Sequence, residues 1–93
     1  MIKQAKERRS QNRIQVAIPV ICAYFDDHKI ATKHGTTFNL SDSGICFYTD
    51  TPLRKGLNLK VHITHIWDSP KASIVKWCSK RTRNLYKVGV SFQ

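Results

Sequence analysis

The stretch "LNLKVHITHIW", residues 57–67, decides the fold. Leu57, Leu59, Val61 and Ile63 recur at every second position, and Asn58, Lys60, His62 and Thr64 alternate with them. Extended chain has that period, so the segment reads as a β-strand with one dry face and one wet face. The same alternation appears upstream in Ile14, Val16, Ile18, Val20, Cys22 and Tyr24. Pro19 falls inside this run and has no N–H to give to a ladder, which predicts a strand at a sheet edge or bulged near its middle. "DDHK" (26–29) then supplies a turn.

Residues 29–34 have no clear pattern and read as loop, with a second strand forming later on Thr36, Phe38 and Leu40. "SDSG" (41–44) breaks the chain, "ICFYT" (45–49) resumes it with Ile45 and Phe47 on one face, and "DTPLRKG" (50–56) is dense in turn residues. "ASIVKWCS" (72–79) and "LYKVGVSF" (85–92) flank the polar turn "KRTRN", and Tyr86, Val88, Val90 and Phe92 make the last apolar face. No segment carries a convincing helical repeat. Six short strands joined by polar turns predict an all-β fold, a small six-stranded antiparallel β-barrel, because closure protects the edges of so short a sheet. Residues 14–93 are assigned to the barrel. Residues 1–13, "MIKQAKERRSQNR", have too few apolar side chains to offset the entropy of ordering them and are assigned to a flexible basic arm.

A chain of 93 residues is the size of one domain. Sixteen Lys and Arg against six Asp and Glu give a formal charge of +10, which favours anionic partners. Cys22, Cys46 and Cys78 are odd in number and far apart, the pattern of free thiols in a reducing compartment, and the protein is expected to be cytoplasmic. The first residues lack the apolar core of a secretory signal, and no run approaches the ~18 apolar residues of a membrane span.

Two short segments carry candidate binding chemistry. In "RRSQNR" (8–13), Arg9 and Arg13 are four apart; extended chain would separate them by about 13 Å, whereas a curled segment brings them together. In "NLSDSG" (39–44), Asn39, Ser41 and Gly44 fall where one strand ends and the next begins. Asn and Ser offer short hydrogen-bonding side chains, and Gly permits a positive φ or the close approach of a ligand.

Taken together, these segments resemble the PilZ family, whose members show Arg-x-x-x-Arg before the first strand and Asp/Asn-x-Ser-x-x-Gly after the second. Here they read "RSQNR" and "NLSDSG", and the closing "YKVGVSF" is similar to that family's final strand. The resemblance covers nearly the whole chain. It implies a six-stranded barrel that binds the bacterial second messenger cyclic di-GMP, often as a stacked pair. By the family's pattern, Arg9 and Arg13 would grip guanine and phosphate while Asn39, Ser41 and Gly44 shape the barrel side of the pocket. Arg8 occupies the position that bears on ligand stoichiometry. An arginine suits these roles, since its guanidinium pairs two ways with guanine O6 and N7, forks onto phosphate and stacks on a purine face. A dianionic ligand that neutralises the arginines is expected to order the arm over the barrel and to alter a surface facing a protein partner. Many family members carry a helix after the last strand, whereas this sequence stops at Gln93, which would leave one barrel mouth open or resting on another protein.

The remaining residues suggest less. His62 and His65 would point to opposite faces of a strand, His28 and His34 are placed in a loop, and no metal or cofactor is expected. Trp67 and Trp77 have the character of stacking platforms, although aromatic strand residues more often pack at a core or rim. Six carboxylates and no Ser/His/Asp or Cys/His arrangement leave little for acid–base or nucleophilic work, so the protein is not expected to be an enzyme. The alternative to a messenger sensor is a small basic barrel that binds single-stranded nucleic acid. It lacks closely spaced exposed aromatics on one strand, since Phe47 and Tyr48 are adjacent and face opposite ways.

Overall fold

The computed structural model describes residues 17–93, which form six strands: β1 (Ile18–Asp26), β2 (Lys29–Leu40), β3 (Gly44–Thr49), β4 (Asn58–His62), β5 (Lys71–Thr82) and β6 (Leu85–Phe92). They close in the order β1-β2-β3-β6-β5-β4, with every pairing antiparallel. This is the expected small barrel. The flexible arm assigned to residues 1–13, and the first strand's start on Ile14 and Val16, lie outside the described residues.

Alternation places Ile18, Val20 and Cys22 of β1 inside the barrel with Ile45, Phe47, Leu59, Val61, Val75, Val88 and Val90. Each such side chain, moved out of water, contributes about 1.5–3 kcal/mol before the entropy of ordering is counted. Leu53, from the loop between β3 and β4, is also buried in this core. That loop is bonded to β5, since Gly56 N donates to Val75 O at 2.8 Å and Val75 N to Leu57 O at 2.9 Å. Buried hydroxyls are satisfied by main chain: Thr49 donates to His34 O at 3.2 Å, and Ser73 to Lys71 O at 3.1 Å.

Several expectations change. Residues 29–34 are strand, because Asp27 and His28, with φ of 55° and 72°, make a tight two-residue turn that pairs Asp26 with Lys29 and leads straight into β2. Their pattern is poor because this end of the hairpin is largely exposed. His34 is therefore a strand residue, and His28 sits in the turn. The strand read over 57–67 ends at His62; Ile63 O accepts from Ile66 N at 3.0 Å and Trp67 N at 2.9 Å, so His65 lies in a turn. Pro19 is tolerated in a closed barrel because β1 pairs with β4 only through Ile21, Cys22 and Ala23. Among the described residues β1 is single-sided beyond that seam, so the N–H that Pro19 lacks breaks no ladder bond there.

The inner face of β2 is not the one that the alternation predicts. Thr36, Phe38 and Leu40 do not share it. Thr37 pairs with Phe47 and Asn39 with Cys46, leaving Phe38 as the extra residue of a β-bulge. Thr37 is buried while Phe38 is exposed, and alternation resumes with Leu40 packed on the core.

Candidate functional site

Two bulges shape one cleft on the outer face of β2, β3, β6 and β5. Beside the bulge at Phe38, Asn39 is turned outward opposite Cys46. In β5, Val75 pairs with Val90 and Trp77 with Gly89, which leaves Lys76 as the extra residue. Strict alternation from buried Val75 would have driven Trp77 into the core; the bulge turns it outward instead. Cys46 in turn pairs with Gly89. The registers therefore align Asn39, Cys46, Gly89 and Trp77 in one row across four strands, about 14 Å from end to end at the usual strand spacing.

The floor of this row is low. Gly89 has no side chain, and the Trp77 ring occupies its place: a Cβ at residue 89 would stand 2.3 Å from Trp77 Cε2. Trp77 remains 41% exposed and, with Asn39 and Lys76, borders a cleft of ≈ 500 Å³. Among the described residues, no carboxylate lines it. The cleft thus offers a carboxamide at one end, an indole at the other and an ammonium on the rim, a set suited to a flat, polar, anionic guest.

The corner of residues 39–44 is held by its own hydrogen bonds. Ser41 Oγ donates to Gly44 O at 3.0 Å and accepts from Gly44 N at 3.3 Å, while Ser41 N donates to Gly44 O at 3.1 Å. Ser43 O accepts from Phe92 N at 2.9 Å, fastening the corner to the end of β6. On the other side, the Thr37 hydroxyl bonds to the carbonyls of Cys46 and Asn39 and accepts from Asn39 N at 3.3 Å, which locks the bulge. Gly44 needs neither a positive φ nor a ligand to explain it. A Cβ there would stand 2.1 Å from Val90 O, so it is the close approach of β6 that excludes a side chain.

Compared with known families, the chain matches the PilZ domain over residues 7–93. It belongs to the PilZ domain family. The match takes in Arg8, Arg9 and Arg13, which lie outside the described residues. A search of curated proteins finds no match to the chain. PilZ membership implies a domain that binds cyclic di-GMP and acts as an adaptor.

In this PilZ domain the structure brings Asn39, Ser41 and Gly44 to one corner, with Asn39 on the cleft and Ser41 committed to the corner's own bonds. Sequence reading missed Lys76, Ser43 and Ser91 as lining residues and gave Trp77 only a general role. The available signal was Gly89 inside a strand, since an interior glycine marks a place where something approaches closely. Trp67 is not a platform here; it packs edge-on against Phe92 at 5.4 Å and on the core. Among the described residues, no group of His, Cys, Asp or Glu is placed to hold a metal, and no helix is long and apolar enough to cross a membrane. The three cysteines are unpaired, and burial pushes the Cys22 thiol up to about 11.

Proposed function

We propose that this PilZ domain senses cyclic di-GMP in the cleft between Asn39 and Trp77. The observation that carries the reading is the four-strand row, in which the Trp77 ring, seated over Gly89 and partly exposed, offers a face on which a base can stack beside Cys46. Base–aromatic stacking contributes about 1–3 kcal/mol, and Lys76 adds attraction for phosphate. Arg9 and Arg13 close the site from the arm, gripping guanine and phosphate, with Arg8 bearing on how many ligand molecules are held. The arm orders across the barrel face as the ligand neutralises its arginines, and the altered surface is read by a protein partner. Unpaired cysteines support a reducing, cytoplasmic setting.

A thermal melt with and without cyclic di-GMP tests this. Ligand at ~100 times Kd stabilises the native state by ~2.7 kcal/mol, on the order of 10 °C for a domain this size. Joint replacement of Arg9 and Arg13 by alanine is expected to abolish the shift and leave the unliganded melt in place. An unchanged melting temperature at saturating ligand refutes the sensor reading.

One observation favours a second reading, single-stranded nucleic acid. The bulge brings Phe38, 44% exposed, edge-on to Tyr48 at 5.5 Å on the outer face, with Lys87 Nζ 5.7 Å from the Tyr48 ring. Cross-strand pairing supplies the neighbouring aromatics that no single strand of the sequence offers. Binding to an oligonucleotide that falls steeply with salt would favour this reading over the messenger.

A further inference from the structure

The β1–β2 hairpin carries a feature that messenger binding does not use. Phe25 and Ile30 are cross-strand partners near its tip, yet Phe25 is 71% exposed and Ile30 68%. Scattered exposed apolar residues are ordinary; two large ones side by side next to an apolar groove mark a contact surface. That groove, ≈ 420 Å³, runs between Tyr24, Phe25 and Ile30 on one side and Leu59, Lys60 and Ala72 on the other. It exists because β1 and β4 part company. β1 pairs with β2 along its whole length, but its pairing with β4 stops at Ala23, opposite Lys60, so, among the described residues, 24–26 have one open edge. Open edges with apolar side chains are templates for a further strand.

We propose that this edge pairs with the same edge of a second copy, making a two-fold dimer. The patch is self-complementary. It supplies both the projecting side chains, Phe25 and Ile30, and the groove that receives them, which is the requirement for an isologous contact. Its charges agree. An antiparallel pairing of residues 24–26 about a two-fold axis sets Asp26, which already pairs with Lys29 in its own hairpin, opposite Tyr24, and carries Asp27 toward position 23 of the other copy, beside which Lys60 stands. A chain with formal charge +10 has only six carboxylates, and one of them, Asp27, is carried toward a lysine across the axis. Dimerisation would leave the cleft between Asn39 and Trp77 open, since that cleft is built on β2, β3, β6 and β5.

Sedimentation velocity of the full chain without nucleotide, over a dilution series, tests the proposal separately from the ligand reading. The expected result is a species of twice the chain mass that dissociates on dilution. Phe25→Glu and Ile30→Glu should each shift the midpoint at least tenfold toward monomer, and their melts should stay close to wild type at concentrations where wild type is monomeric. Should either variant fold poorly, charge exchange serves instead: Asp27→Lys and Lys60→Glu each weaken the dimer, and the double variant regains it. A chain that stays monomeric at every concentration, or a dimer indifferent to all of these changes, overturns the proposal; the monomeric outcome would mean that the patch serves a different protein.

Discussion

The indole of Trp77 fills the space that any side chain at Gly89 would need, with Cε2 and Nε1 2.3 and 2.4 Å from where a Cβ would lie. The glycine and the tryptophan are therefore one device: the first makes room, and the second is held against the sheet facing the cleft. Trp77→Ala is expected to weaken cyclic di-GMP by about 1–3 kcal/mol in calorimetry and to move the melt little, because the ring is partly exposed. Gly89→Ala should lose comparable affinity by displacing the ring and cost about 1–3 kcal/mol of stability through overpacking. Wild-type binding by Gly89→Ala would show that the ring does not hold the ligand.

Gly44 and Gly56 are both required, for different reasons. At Gly44 the obstacle is the Val90 carbonyl; at Gly56 nothing lies within 4 Å of the missing Cβ, but φ is +90°. Alanine at 56 should cost about 1–2 kcal/mol in urea unfolding, and asparagine, which tolerates positive φ, should recover much of it. Neither residue is expected to be accommodated at 44, where β3 and β6 would have to separate. Recovery by Gly44→Asn would contradict the steric account.

Ser41 and Ser43 flank the same corner but bear different loads. Ser41→Ala removes a donor and an acceptor from Gly44 and should cost about 1 kcal/mol, with reduced ligand affinity as the corner loosens. Ser43 holds β6 through its carbonyl, which alanine retains. Equal losses in Ser41→Ala and Ser43→Ala, by denaturation and calorimetry, would count against this division.

The Cys22 thiol titrates near 11 in the folded barrel against 9.0 ordinarily, because burial disfavours the thiolate. The unfolded chain releases this proton first as pH rises. The thiol's contribution is thus fully present below about pH 9 and is lost progressively toward pH 11, a difference of about 2–3 kcal/mol. Urea midpoints measured from pH 8 to 11 should fall more steeply for wild type than for Cys22→Val, whose side chain does not ionise. Parallel curves would place the alkaline loss elsewhere, with Tyr24, which burial also shifts upward, as the next group to replace.

The period-two alternation of residues 57–63, 18–22 and 86–92 is a local property of the chain, and with the polar turns between segments it was enough to point to six strands, an antiparallel barrel and most of the core. The spacing of "RSQNR" and "NLSDSG" likewise pointed to the family. What the sequence could not contain is the position of the two bulges at the cleft, since a residue is extra only relative to its partner strand. Phe38 and Lys76 became extra when β2 met β3 and β5 met β6. Those pairings alone turned Asn39 and Trp77 outward onto one face. The cleft belongs to the tertiary structure because it is a relation between registers, and register is settled by long-range pairing and core packing rather than by neighbours along the chain.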